Sequence, residues 1–173
     1  MNPLTLRTAM RDVLAAATAA YDTDAAPKVP ARRYLMHGTP TWLGEQLVVW
    51  SPGLLPAGPF PLPRLRSVKS TVVPAAQLNI EVVRECWPSA DGTNVRMTTP
   101  GPDQYTDAAE MSALDAATLF SAIAAKVAAG TLCPSLEGLG TADDYALSPM
   151  VPLGPLGKRF GWRLPVAVKL AVT

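Results

Sequence analysis

Charge is what this sequence has least of. Asp, Glu, Lys and Arg make up 17% of its 173 residues, where a soluble domain carries roughly a quarter. The 15 basic and 14 acidic residues leave a net charge of +1. So thin a balance argues against a nucleic-acid binder that works by bulk electrostatics. It also leaves little to keep surfaces apart, which is easier to reconcile with a chain that buries part of its surface against other subunits. Histidine is nearly absent, His37 being the single one. With no second histidine and no cysteine or carboxylate at ligand spacing nearby, no metal site is expected there, and His37 reads as a strand-end residue facing solvent or a loop. The two cysteines, Cys86 and Cys133, do not make a disulfide framework. They are expected as buried reduced thiols, able to pair only if folding brings them together, and this fits synthesis in a cytoplasm.

Long apolar runs are missing too. No window approaches the roughly eighteen uncharged residues of a membrane span. The alanine-rich stretch Ala108 to Ala129 comes nearest, but Glu110, Asp115 and Lys126 punctuate it, so a soluble helix is expected. Arg7, Arg11 and Asp12 interrupt any signal-like core near the start, and no secretory leader is expected. Catalytic motifs are equally scarce. GPLGKR (154–159) resembles a phosphate loop in part, but Pro152 stands where the first glycine belongs and Arg159 where Ser or Thr belongs. There is no G-x-S-x-G elbow. His37 with either cysteine is a pair that any two such residues would make. Asp143 and Asp144 read as turn caps, since the other oxygen ligands that a calcium or magnesium ion needs are not evident beside them. The expectation is therefore a protein without catalytic residues, metal or cofactor.

What is present is an ordered alternation of elements. The last stretch, WRLPVAVKLAV (162–172), puts Trp162, Leu164, Val166, Val168, Leu170 and Val172 on one side of an extended backbone and Arg163, Pro165, Ala167, Lys169 and Ala171 on the other. Such a strand needs partner strands and a cover for its apolar face. Asn2 and Pro3 open a helix over 3–21, with Leu6, Met10, Val13, Leu14, Ala17 and Tyr21 at spacings of three and four. A first strand is predicted over Arg32 to His37 and a second over Glu45 to Trp50, where the run Leu47, Val48, Val49 implies cover on both faces. A third runs from about Thr71 to Trp87, with Pro74 as the point where it can break. It sets Leu78, Ile80, Val82 and Cys86 toward a core and Gln77, Asn79, Glu81 and Glu85 toward water, with Arg84 the exception on the apolar side.

Residues 88–102 form a polar, turn-rich loop. A second helix is predicted from Asp103 or Gln104 to Ala129, capped by Asp103 or Thr106 and stopped by Gly130, with Met111, Leu114, Leu119, Phe120, Ile123 and Val127 as its apolar stripe. The carboxylates in its first half, Asp115 among them, are explained by the helix dipole. Tyr145 to Leu153 offers a fourth strand, and Gly154 to Trp162 a tight turn. The fold class is thus α+β, in which a mixed or antiparallel sheet of about four to five strands is covered by two helices. One domain spans 1–173, with a long Pro-rich loop at 51–71. That loop, SPGLLPAGPFPLPRLRSVKST, has too much proline and glycine for a helix or a central strand and too many apolar residues for an idle solvated loop. It reads either as packed on its own domain or as an arm that docks on a neighbour, where extended Pro-rich backbone loses less entropy on ordering.

With these elements in place, GEQLVV (44–49), NIEVVRECWP (79–88) and GPLGKRFGWRLPVAVKL (154–170), around a long acidic-then-alanine helix, resemble the tail-terminator or neck proteins of long-tailed actinobacteriophages. The resemblance implies a virion structural protein that forms a ring, expected as six copies, at the head-proximal end of the tail tube. Its implied partners are other copies of itself, the tail-tube protein and a head-completion, stopper or connector protein, with assembly in the host cytoplasm and no membrane. Composition adds Phe60, Leu62, Arg64, Arg66 and Lys69 of the Pro-rich arm, with Lys158 and Arg159 of the later turn, as candidate subunit or tube contacts. Basic groups lining the lumen would meet passing DNA only through phosphates. Another neck component or a tail-tube protein is the nearest alternative, followed by a binding module outside any virion and by an enzyme with an unfamiliar site.

Overall fold

Among the described residues two helices pack on one face of a six-stranded sheet, and the reasons lie in local sequence. The computed structural model describes residues 3–23, 26–55, 75–85, 102–156 and 159–169. Helix α1 spans Pro3–Ala19 and buries Met10, Val13 and Ala17 completely. It ends before Tyr21, whose N–H closes a tighter turn on the Thr18 carbonyl at 3.1 Å, while the ring still packs in the core. Strands β1 (Arg32–His37), β2 (Gln46–Leu55) and β3 (Ala75–Glu85) follow, then α2 (Pro102–Ala128). A single 3₁₀ turn, Ala142–Asp144, leads into β4 (Tyr145–Leu147), β5 (Val151–Leu156) and β6 (Arg159–Lys169).

The sheet order is β1-β2-β3-β6-β4, with β5 also on β6. β1 and β2 are parallel and every other pair is antiparallel, so the sheet is mixed, and the α+β class expected from the sequence is what forms. Parallel neighbours usually need a crossover of about a dozen residues or more. Here the short connection 38–45 suffices. It is pinned across the sheet face away from the helices, where the Tyr34 hydroxyl donates to the Thr41 carbonyl at 3.3 Å and the Leu43 N–H to Gln46 Oε1 at 3.1 Å.

Boundaries among the strands differ from the sequence reading. β2 runs on through Pro52 and Gly53 to Leu55, although this stretch was expected to be loop. The last β1–β2 pair is His37 with Ser51, so Pro52 lies beyond the end of β1 and has no ladder bond to lose there. A bulge between Trp50 and Gly53, with Gly53 at φ 132° and the Ser51 hydroxyl donating to the Gln77 carbonyl at 2.8 Å, absorbs the irregularity. The single strand predicted over Tyr145 to Leu153 is two, β4 and β5, laid along β6 and joined where the Ser148 N–H donates to the Pro165 carbonyl at 3.0 Å. Of the turn predicted over Gly154 to Trp162, 154–156 belong to β5 and 159–162 to β6, and 157–158 lie outside the described residues.

α2 begins at Pro102, which places Asp103 and Thr106 inside the helix, so neither is its cap. Its end is as predicted. Gly130 at φ 69° allows the Thr131 N–H to reach the Lys126 carbonyl at 2.9 Å and its own N–H to reach Val127 at 3.0 Å, the paired bonds of a Schellman close. The core lies between the helices and the sheet face carrying Leu47, Val49, Leu78, Ile80, Val82, Leu164, Val166 and Val168. The alternation read in the final strand holds from Trp162, packed at the margin, to Val168, and Leu170 and Val172 lie outside the described residues. Cys133 is a free, buried thiol, pushed up to about 12 by burial and the neighbouring Asp12 carboxylate, and Cys86 lies outside the described residues.

Candidate functional site

Arg84 sits on the core face of β3, where an unpaired guanidinium would be costly. Its partner comes from α2. Nε donates to Asp115 Oδ2 and Nη2 to Asp115 Oδ1, both at 2.8 Å, with the two side chains 7% and 1% exposed. Nη2 also donates to the Lys28 carbonyl at 2.7 Å, and the Tyr21 hydroxyl donates to Asp115 Oδ1 at 3.0 Å. Burial alone would lower the Arg84 guanidinium. The hydrogen bonds and charge of Asp115, with Glu45 and Tyr21 beyond, leave it raised. Burial, then the Asp115 carboxylate, pushes the Tyr21 phenol far up. The group is a fixed internal tie among α1, β3 and α2, and the helix dipole is not what places Asp115.

That tie sets which side of α2 faces out. Ser112, Asp115, Leu119 and Ile123 point to the sheet, whereas Met111, Leu114 and Phe120 are 40%, 50% and 43% exposed. The stripe predicted from apolar residues alone is thus split, half in the core and half on the surface. Between Met111 and Ala125 the outward side of α2 carries no charge, since Asp115, the charged residue in that span, is buried. The segment Thr106–Ala128 is long and apolar enough by composition to cross a membrane, with only 22% of its most apolar window buried. Its sheet-facing side is held by the Arg84 pair.

The other face of the sheet is the second unusual surface. The sequence reading left it wet, yet Asn79 is 3% and Glu81 1% exposed, and Gln46 and Val48 are fully buried beside them. Cross-strand pairing explains how charge survives there. Glu81 stands opposite Arg163 and accepts from its Nε at 2.6 Å, while the Arg163 guanidinium lies 5.1 Å from the Trp50 ring centroid. Glu85 opposes Arg159 and accepts from its Nε at 2.7 Å, and Arg159 Nη1 also donates to the Trp42 carbonyl. Lys169 donates to Asp144 Oδ1 at 3.2 Å. Every cation on this side of β6 is matched to a carboxylate no more than 8% exposed.

Of the residues singled out by composition, Phe60, Leu62, Arg64, Arg66, Lys69 and Lys158 lie outside the described residues. Arg159, named as a candidate contact in the later turn, is held half-buried by Glu85 and the Trp42 carbonyl. Asp144 does cap a turn. Its Oδ2 accepts from the backbone N–H groups of Gly140 and Thr141 and from the Thr141 hydroxyl. Burial would raise this carboxyl, but those bonds and Lys169 outweigh it and hold it at about 2. The Glu81–Arg163 and Arg84–Asp115 pairs were missed, although the charge on an apolar strand face at Arg84 was the signal for the second. No family model matches the chain, and no curated protein matches it either.

Proposed function

We propose that this chain is a virion structural protein that assembles as a ring, expected as six copies, at the head-proximal end of a phage tail tube. There it stops tube growth and joins the tail to the neck. The observation that carries the reading is the uncharged, half-exposed outward side of α2 at Met111, Leu114 and Phe120. A surface of that kind is what a subunit buries against its neighbour, and the low overall charge points the same way. The internally matched charges of β6 support a rigid scaffold role, since they leave those cations committed within the chain. In this proposal the arm residues Phe60, Leu62, Arg64, Arg66 and Lys69, with Lys158, supply further contacts to a neighbour or to the tube. Another neck component, such as a stopper or connector, or a tail-tube protein, uses the same surfaces and is the alternative.

The test is the mass of the purified protein in solution, alone and mixed with tail tubes, followed by negative-stain imaging of the mixture. Rings, or a cap confined to one tube end, are the expected result. Incorporation along the whole tube would identify a tube protein instead. A monomer that ignores both tubes and heads would remove the virion reading.

A further inference from the structure

The two edges of the sheet are built differently. Along the β4–β5 edge stand Pro149, Pro152 and Pro155, and proline on an edge blocks the pairing of another strand. The β1 edge has no such protection. Arg32–His37 contains no proline, its residues are exposed or half-buried, and no described strand pairs with its outer side. A six-residue edge offers about 20 Å of unpaired backbone.

Beside that edge lies an open groove of about 440 Å³ between α1 and β1. Its apolar part is Leu14, Ala15 and Ala19, and Arg11 and Arg33 stand in it as cations. Asp22 is the one carboxylate among the lining residues. Arg11 and Arg33 make no ion pair among the described residues, unlike the cations of β6. Arg32, on the other side of the same strand, is exposed as well. Cations left uncommitted around an unpaired backbone edge, in a chain with so little charge, call for a negatively charged occupant.

We propose that the β1 edge and its groove form a docking site for an acidic, extended segment of another polypeptide, which adds to the sheet as a strand. The backbone of the incoming segment pairs with β1. On the groove side a small apolar side chain enters over Leu14 and Ala15 with carboxylates before and after it, two positions away, that meet Arg11 and Arg33, and on the opposite side the segment's carboxylates meet Arg32. A strand is favoured over a nucleic-acid backbone because the site combines unpaired peptide groups with an apolar floor, neither of which a phosphate chain uses. The proposal is independent of ring formation.

The test is fluorescence anisotropy of a labelled Glu-Glu-Val-Val-Glu-Glu peptide, which presents one valine flanked by glutamates on each face of a strand, titrated with the full chain, together with amide chemical-shift mapping. Saturable binding is expected, with shifts at Arg32–His37. Affinity should fall by about tenfold or more in R11E/R33E, and the same peptide with proline in place of both valines should bind about tenfold more weakly, because each side of the strand loses an N–H donor and proline holds φ away from the strand value. Absence of binding, equal binding of the proline peptide, or a DNA duplex that competes at the same arginines without shifting the β1 amides would each overturn the proposal. Should R11E/R33E fail to fold, the shift map on the unsubstituted chain decides: shifts at Arg32–His37 support the site, and shifts elsewhere reject it.

Discussion

Arg84 on β3 and Asp115 on α2 meet as a two-point pair inside the protein, 2.8 Å at each contact, with Tyr21 from the end of α1 bonded to the same carboxylate. One charged pair therefore fixes the rotation of α2 on the sheet. Apolar content alone would not choose that rotation, because Met111, Leu114 and Phe120 compete with Leu119 and Ile123 for the core. Truncating Asp115 to Ala strands a guanidinium that is 7% exposed, and breaking such a pair costs about 3–5 kcal/mol. Urea unfolding of D115A should show that loss, close to the whole stability of a marginal domain. The double variant R84M/D115L removes both charges and should recover most of it. A double variant no more stable than D115A would mean the pair contributes more than mutual neutralisation.

Asp144 makes stability depend on pH in a defined direction. Its carboxyl is held at about 2 in the folded protein against an ordinary 3.8, so the folded state favours the ionised form. The contribution is complete above about pH 4, shrinks as pH falls toward about 2, and is absent below that. Its size is on the order of 1–2 kcal/mol. Denaturation midpoints across this range should fall more steeply for the parent than for D144N, which lacks the titrating group. Parallel curves for the two proteins would exclude Asp144 as the source.

Much of the fold was legible because its signals are local. Proline at a helix start, glycine at Gly130 and strict alternation from Trp162 onward each act within a few residues. The order of the sheet was not legible, and what depended on that order was misread with it. Glu81 and Glu85 look solvent-facing until Arg163 and Arg159, far along the chain, are placed opposite them. Asp115 looks like a dipole residue until Arg84 is placed beneath it. The continuation of β2 through Pro52 was hidden for the same reason, since proline is tolerated there only because β1 has already ended.

The Glu81–Arg163–Trp50 stack gives a further test. Glu81 is 1% exposed at its side chain, whereas Arg163 is 31% exposed, so the arginine is the member that water can reach. Replacing Arg163 with Ala leaves a buried carboxylate without its cation and uncovers the Trp50 ring. A loss of about 2–3 kcal/mol is expected, with a change in the near-ultraviolet circular dichroism of tryptophan. E81Q, which retains an oxygen to accept from Arg163, should cost less than R163A. The reverse order would place the main contribution in the Arg163–Trp50 contact.

The outward side of α2 separates an assembly role from a merely tolerated apolar surface. Leu114 and Phe120 are 50% and 43% exposed and touch the core little, so L114E/F120E should fold with nearly unchanged thermal stability. If a neighbour covers these side chains, each contributes about 1.5–3 kcal/mol to the contact, and glutamate at both sites adds desolvated charge against it. The double variant should then lose ring or tube-end assembly by a factor of about a thousand in concentration, because a loss of roughly 4 kcal/mol at an interface has that effect. Sedimentation of parent and variant with tail tubes provides the measurement. Assembly unchanged in a folded variant would remove α2 from the interface and leave the arm or a sheet edge to carry it.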